Sequence, residues 1–324
     1  MPAVDAQNSS REPPEVWRDL PPHLAVRNAG AAGRGLFATT DVEAGFAALS
    51  APVIQISLAR SYSSSTCRSC LQSTPDEEQL PLCCKGCESL FFCSPACMAS
   101  HTVQECQILQ ATAGDKNINK LEQGYINSLA SMVGVLATCD DPIGRLQQVL
   151  TLVRSGQWRR GSARNVSAAK AAASRVSKLV AEYDEGILLH ALLAAELNDI
   201  GIFNYEGDEI GKMSAPQFAI SNHSCLPNCA YTIHGGKPTL TALRPIAAGE
   251  QLTQSYVHLN CDGSERKAAI RDSWEFDCLC PRCRVGGDDS KQVAAFDEAH
   301  KCECGRVVLV AVGECQCNVG SLCL

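Results

Sequence analysis

Cysteine is the residue whose number and placement most demand a chemical explanation. The 324-residue chain holds 20, eight from Cys67 to Cys106 and eight from Cys278 to Cys323, with Cys139, Cys225, Cys229 and Cys261 elsewhere. Thiols in C-x-C and C-x2-C pairs form disulfides in secreted proteins and hold metal in reducing compartments. The first residues, MPAVDAQNSSREPPEVW, lack the apolar core of a secretion signal. Reduced thiols that bind zinc are therefore expected. In the first cluster the ordered candidates are Cys67, Cys70, Cys84, Cys87, Cys93, Cys97, His101 and Cys106. Zinc takes four thiolate or imidazole ligands in a tetrahedron, so eight candidates make two sites. Cys83 adjoins Cys84 and leaves the register ambiguous; the C-x2-C spacing to Cys87 favours Cys84. A metal-free, reduced cysteine-rich loop is the alternative. So small a segment buries little apolar area, and metal binding would supply most of its folding free energy.

A second concentration of chemistry is Asn222-His223-Ser224-Cys225-Leu226-Pro227-Asn228-Cys229. Asparagine offers both a donor and an acceptor, and histidine a planar ring with two distinct nitrogens. The segment Gly249–Tyr256 (GEQLTQSY) places a tyrosine 34 residues after Asn222. Near the start, Gly33-Arg34-Gly35-Leu36-Phe37 is followed by the turn Val42–Gly45. Glycines there let a backbone approach a ligand closely.

These groups need elements to position them. Hydrophobic residues make up 45% of the chain but aromatics only 5%, so Ala, Val, Ile and Leu must fill the core. Short apolar segments punctuated by Gly30, Gly33–Gly35 and Gly45 predict strands over Leu24–Leu58. Ala59–Thr66 reads as a serine-rich linker, and Ser94–Leu109 as a helix. Residues 111–197 predict two helices, about Ile126–Val153 with a break near Asp141–Pro142 and about Ala168–Leu197, joined by a basic loop at Gly156–Ser167. Strand signals return in FAISNHSC, CAYTIHG, KPTLTALRPI and QLTQSY, and Arg266–Trp274 predicts a short helix. No run approaches the about 20 apolar residues of a membrane span. A net charge of -7 disfavours direct nucleic-acid binding through a basic surface and suits a basic, lysine-rich partner.

The N-H-S-C-x-P-N pattern, complete at its six fixed positions, resembles the core of the SET fold, which is that of most protein lysine methyltransferases. The first cysteine cluster resembles a MYND finger. Their order resembles the SET-and-MYND family over roughly Leu24 to Val285. The resemblance implies an α+β, β-rich SET fold split by a zinc-binding MYND finger and a helical insert, with a post-SET zinc site. The expected divisions are a disordered lead at 1–22, the SET N-terminal part at 23–66, the finger at 67–106, the insert at 107–197, the SET core at 198–260, the post-SET segment at 261–285 and a Cys-rich tail at 286–324.

The resemblance also implies roles. One finger site would be Cys67, Cys70, Cys93 and Cys97, the other Cys84, Cys87, His101 and Cys106, although the H-x4-C ending is one residue longer than usual. Cys225 with Cys278, Cys280 and Cys283 would form the post-SET site. S-adenosylmethionine would be held by Gly33, Arg34, Gly35, Asn198, Asn222, His223, Tyr256 and Phe276, with Tyr256 beside the transferring methyl as the catalytic residue. Asn198 also reads as an ordinary helix-terminal asparagine. Trp274 and Ala215 stand where the family often has tyrosines. About three zinc ions are implied, or four if Cys302, Cys304, Cys315 and Cys317 bind one. The partners implied are a lysine-containing protein, histone or other, and a proline-rich peptide at the finger, in the cytoplasm or nucleus and not at a membrane. A catalytically inactive interaction or transcriptional-repressor module of the same architecture is the second reading.

Overall fold

The computed structural model describes residues 17, 19–152, 163–204, 208–259 and 261–284. The expectations for the N-terminal lead and for the tail with Cys302, Cys304, Cys315 and Cys317 lie wholly or mostly outside these residues. The strands in chain order are β1 (Leu24–Asn28), β2 (Arg34–Ala38), β3 (Ala47–Ser50), β4 (Gln55–Leu58), β5 (Leu82–Cys83), β6 (Phe91–Phe92), β7 (Ile200–Phe203), β8 (Glu209–Ser214), β9 (Asn222–His223), β10 (Cys229–His234), β11 (Lys237–Ala242) and β12 (Gln251–Gln254). The helices are α1 (Pro95–Met98), α2 (Val103–Thr112), α3 (Lys120–Leu136), α4 (Pro142–Leu150), α5 (Ala163–Ser177), α6 (Glu185–Asn198), α7 (Gly263–Trp274) and α8 (Pro281–Arg284). The fold is α+β.

The chain divides into two compact units. One takes Met1–Ser50, Ile220–Thr232 and Thr239–Leu324; the other takes Ala51–Ala219 and Ile233–Pro238. In the first, one sheet has the order β1-β2-β12-β9. β1 and β2 form an antiparallel pair from Leu24↔Ala38 to Asn28↔Arg34. They alternate as the period of two requires, burying Leu24 and Val26 on one strand and Leu36 and Ala38 on the other. The sequence predicts one strand over FAISNHSC. The structure has instead a 3-10 turn at Phe218–Ile220 followed by the two-residue β9. β12 pairs antiparallel with β2 and parallel with β9.

The second unit holds the first cysteine cluster and helices α1 to α6. The expected single helix Ser94–Leu109 is two, α1 and α2, because Thr102 caps α2 by accepting from the Glu105 N–H. His101 lies in that break. The expected helix Ile126–Val153 is α3 and α4, separated at the anticipated Asp141–Pro142 and starting earlier, where Asn119 caps α3. Ala168–Leu197 is likewise two helices, with Asp184 capping α6, and the expected basic loop ends early because α5 begins at Ala163. Ala168, Ala169, Ala172, Ala173 and Val176 of α5 are buried against Ile126, Leu129, Ala130 and Val133 of α3. Small side chains at helical spacing let the helices close together, and this fills the core without aromatics.

Candidate metal centres and active site

Among the described residues, three groups of side chains are arranged as metal sites. Cys67, Cys70, Cys93 and Cys97 form one, Cys84, Cys87, His101 and Cys106 a second, and Cys225, Cys278, Cys280 and Cys283 a third, each with all ligand atoms within 4.8 Å of one another. A zinc tetrahedron with Zn–S of about 2.3 Å has S···S edges of about 3.8 Å. The observed edges match: Cys70–Cys93, Cys93–Cys97 and Cys84–Cys106 at 3.6 Å, Cys225–Cys278 at 3.9 Å and Cys225–Cys283 at 3.5 Å. All the thiols in these groups are free of disulfides. The residues present therefore fit zinc. Cys83 stays outside, its thiol turned to the Cys84 carbonyl at 3.8 Å, which resolves the register in favour of Cys84.

The local sequence explains the closeness. Both C-x2-C turns of the finger end on a residue of positive φ, Leu71 at 63° and Glu88 at 52°. There the Leu71 N–H returns to the Cys67 carbonyl and the Glu88 N–H to the Cys84 carbonyl, both at 2.9 Å. A Cβ at Gly86 would lie 2.7 Å from the Cys106 sulfur, so only glycine lets that ligand in. Cys67 and Phe92 are buried together beneath the first group.

His101 belongs in the second group despite its unusual spacing. Its Nε2 lies 3.7 Å from the Cys87 sulfur, and its Nδ1 donates to a Glu105 carboxylate oxygen at 2.9 Å. Burial alone would lower the His101 pKa; the Cys87 and Glu105 hydrogen bonds outweigh it and raise the pKa to about 11. A ring with Nδ1–H anchored on a carboxylate and Nε2 facing a ligand thiol is set up as a metal ligand. Glu105 and its partner Arg68, at 2.8 Å, escape a reading of the sequence. The signal available was a glutamate directly before a ligand cysteine.

In the first unit, the third group adjoins a cluster of candidate ligand-binding side chains. Parallel pairing aligns Asn222 with Thr253 and His223 with Gln254, so Tyr256 emerges beside His223. The Tyr256 N–H donates to His223 Nδ1 at 3.0 Å, and the Tyr256 hydroxyl donates to the Ser221 carbonyl at 2.8 Å. Because Nδ1 accepts, the imidazole proton sits on Nε2, which faces the Cys225 sulfur at 3.2 Å. Burial lowers the His223 pKa to about 4 and holds the Tyr256 phenol above its usual range. The Tyr256 ring packs on His223 at 5.3 Å and on Trp274 at 5.2 Å, and Phe276 lies 6.2 Å from His223.

The Gly33–Gly35 loop joins this cluster. The Asn222 amide donates to the Arg34 carbonyl at 2.8 Å. A Cβ at Gly35 would strike the Gln251 amide and sit 3.0 Å from the Asn222 nitrogen. Among the described residues the buried Gln251 Nε2 has no hydrogen-bond partner. An orphan amide beside glycine backbone and Asn222 suits a ligand that carries hydrogen-bond acceptors. The Arg34 guanidinium instead lies over Trp17 at 5.9 Å.

Asn228 ties the segment to β12. Its amide donates to the Gln251 carbonyl at 2.8 Å and to a Glu250 carboxylate oxygen at 3.1 Å, while its side-chain oxygen accepts from the Thr253 N–H at 2.8 Å. The post-SET side is set by α7, whose capping box pairs Asp262 with Glu265 and whose end turns at Glu275 with φ 57°. Buried Arg282 donates to the Cys225 carbonyl at 3.2 Å and the Leu259 carbonyl at 3.1 Å. Cys229 is buried outside the metal groups, and Cys261 turns to the His258 carbonyl.

Asn198 and Ala215 lie in the other compact unit. The Asn198 amide donates to the Ala194 carbonyl at 2.8 Å, one turn back in α6, which is how an ordinary helix-terminal asparagine behaves. Ala215 is fully buried, and its carbonyl accepts from the Phe218 and Ala219 N–H groups at 3.0 Å.

Comparison with known proteins agrees with this geometry. The SET domain profile matches residues 33–257. The chain therefore belongs to the SET domain family. Its relatives place it among the SET-and-MYND proteins. A SET and MYND domain-containing protein of Dictyostelium discoideum is 22% identical over 85% of this chain and 84% of its own length. N-lysine methyltransferase SMYD2-B of Xenopus laevis is 27% identical over 79% of this chain and 60% of its own. Histone-lysine N-methyltransferase SMYD3 of Mus musculus is 33% identical over 35% of this chain and 27% of its own.

Proposed function

We propose that this chain transfers a methyl group from S-adenosylmethionine to a lysine side chain of a protein, histone or other. The convergence of Asn222, the Gly33–Gly35 loop and Tyr256 beside a four-thiol cluster carries the reading. When bound, S-adenosylmethionine supplies a methyl group on a cationic sulfur. The backbone at Gly33 and Gly35, the Arg34 carbonyl region, Asn222, His223 and Phe276 would hold it, and Asn198 is retained as a weaker candidate. The rings of Tyr256 and Trp274 would line the transfer path and exclude water.

The lysine amine must lose a proton before it can attack; its ordinary pKa is about 10.4, and a desolvated site beside a cation lowers it. Tyr256 acts in its protonated form. Its O–H is committed to the Ser221 carbonyl, so its remaining lone pairs can orient the reacting groups without serving as a base. Holding reactants in line is worth several orders of magnitude in rate. Zinc at Cys225, Cys278, Cys280 and Cys283 would fix the post-SET segment, and the finger would hold two more. The exposed Met98 and Val103 give the finger apolar surface for a proline-rich peptide. We place the protein in the cytoplasm or nucleus.

The second reading, an inactive interaction module, draws on Ala215, which offers no hydroxyl where related enzymes often carry one. Titration calorimetry with S-adenosylmethionine on the zinc-replete protein separates the two. Micromolar binding and methyl transfer to proteins of a cell extract, lost in Tyr256→Phe with binding kept, are expected. An absence of cofactor binding would rule out the transferase.

A further inference from the structure

We propose that Arg68 and Glu105 form an outer shell shared by both zinc groups of the finger, so that the two metals are held as a coupled pair. The inference rests on the assignment of zinc to those groups. Arg68 sits inside the Cys67–Cys70 turn of one group, its backbone N–H held by the Phe91 carbonyl at 2.9 Å. Its guanidinium reaches one Glu105 oxygen at 2.8 Å, while the other oxygen accepts from His101 Nδ1 at 2.9 Å. Glu105 directly precedes Cys106, so it adjoins one ligand of the second group and orients another. A single carboxylate thus spans the two.

The placement is costly and deliberate in physical terms. The Glu105 side chain is only 8% exposed, and its partners are 12% and 6% exposed. A buried carboxylate keeps its charge only when its partners stay in place. Each partner is itself positioned by a different metal group. The bridge is further anchored to α3, where the Ser131 hydroxyl accepts from Arg68 at 2.6 Å and from the Ile56 N–H at 2.8 Å. Gly134 of the same helix admits α2 closely enough that a Cβ there would lie 2.7 Å from the Thr102 hydroxyl and 2.9 Å from the Glu105 Cβ. Emptying the second group would free His101 from its thiolate side and loosen Glu105. Arg68, and with it the Cys67–Cys70 turn, would then lose its counter-charge.

Metal loss from the full chain into a chromogenic chelator tests this. Cobalt substitution distinguishes the mixed thiolate–imidazole group around His101 from the two all-thiolate groups by its visible absorption, and release repeated in a Cys225→Ser background, which lacks the post-SET group, separates those two. Glu105→Gln should speed loss from the His101 group about 10- to 100-fold. It should also speed loss from the Cys67 group by at least severalfold, leaving the post-SET group unchanged as the internal reference. Arg68→Lys, which keeps the charge but not the planar fork, should loosen both finger groups in the same order. It decides the question if Glu105→Gln fails to fold. Wild-type release in both variants, or acceleration confined to the His101 group, would overturn the coupling. Wild-type protein that retains no finger metal would instead refute the zinc assignment itself.

Discussion

Two histidines among the described residues touch thiol clusters, and they are wired in opposite senses. His101 gives its Nδ1 proton to the Glu105 carboxylate, which leaves the Nε2 lone pair for metal beside Cys87. His223 receives the Tyr256 N–H at Nδ1, so its own proton must lie on Nε2, pointing at Cys225. A carboxylate can only accept and a peptide N–H can only donate, so the partner on Nδ1 decides what Nε2 can do. The first ring completes a tetrahedron. The second is excluded as a ligand and links a sulfur of the third cluster to the backbone of Tyr256.

The largest test of this contrast removes the sulfur that His223 faces. Cys225→Ser should cost one zinc per chain and reduce methyl transfer at least about 100-fold, the scale on which displacement of a catalytic group by an ångström is felt. Metal analysis and a radiolabelled transfer assay read both effects. Retention of three zinc ions with unchanged rate would detach the cluster from Tyr256.

The next test exchanges the histidines. His101→Ala should lower the zinc content by one, and His101→Cys should restore it, since a thiolate can fill the same vertex. His223→Ala should leave the zinc content at the wild-type value. A drop in zinc for His223→Ala, or none for His101→Ala, would reverse the assignment of ligand and spacer.

How far the contrast was legible in the sequence depends on what each residue type can signal. The thiol groups were readable because C-x-C and C-x2-C pairs have few physical uses, and spacing favoured Cys84 over Cys83 without removing the ambiguity. The α+β class was what the family resemblance implied, and the short apolar strands around an alanine-rich helical stretch agree with it. The helix breaks at Ala99–Thr102 and Lys178–Tyr183 were not readable, since the capping residues Thr102 and Asp184 look like ordinary polar positions until the chain is folded. Glu105, Arg68 and Gln251 were missed for a related reason: their work depends on partners distant in sequence, Arg68 lying 37 residues from Glu105. Nor does a histidine carry its tautomer in its name; His101 and His223 differ only in what lies across from Nδ1.

A smaller effect is expected where His223 meets Tyr256. His223→Ala leaves the Tyr256 N–H without its acceptor, a loss of about 1–2 kcal/mol, or about tenfold in rate. The loss should appear in kcat, with His223→Asn recovering part of it, and in cofactor affinity, since the ring is also placed among the residues that hold the cofactor. An unchanged cofactor affinity would remove His223 from the cofactor site and leave it only the positioning of Tyr256.

The smallest effect expected is none at all, and it bears on the same wiring. Burial raises the Tyr256 pKa above its usual 10.0. A raised pKa favours the neutral phenol, so Tyr256 stays protonated until the pH passes above that ordinary value. The rate should therefore rise with pH as the lysine amine loses its proton, with no falling limb from Tyr256 below about pH 10. Such a falling limb, absent in a Tyr256→Phe variant with measurable residual activity, would show that the phenol ionises within the working range. Loss of rate on that ionisation would keep the protonated O–H as the state that supports transfer but would show that burial does not hold its pKa above the working range; a rising limb lost in Tyr256→Phe would instead make Tyr256 a base.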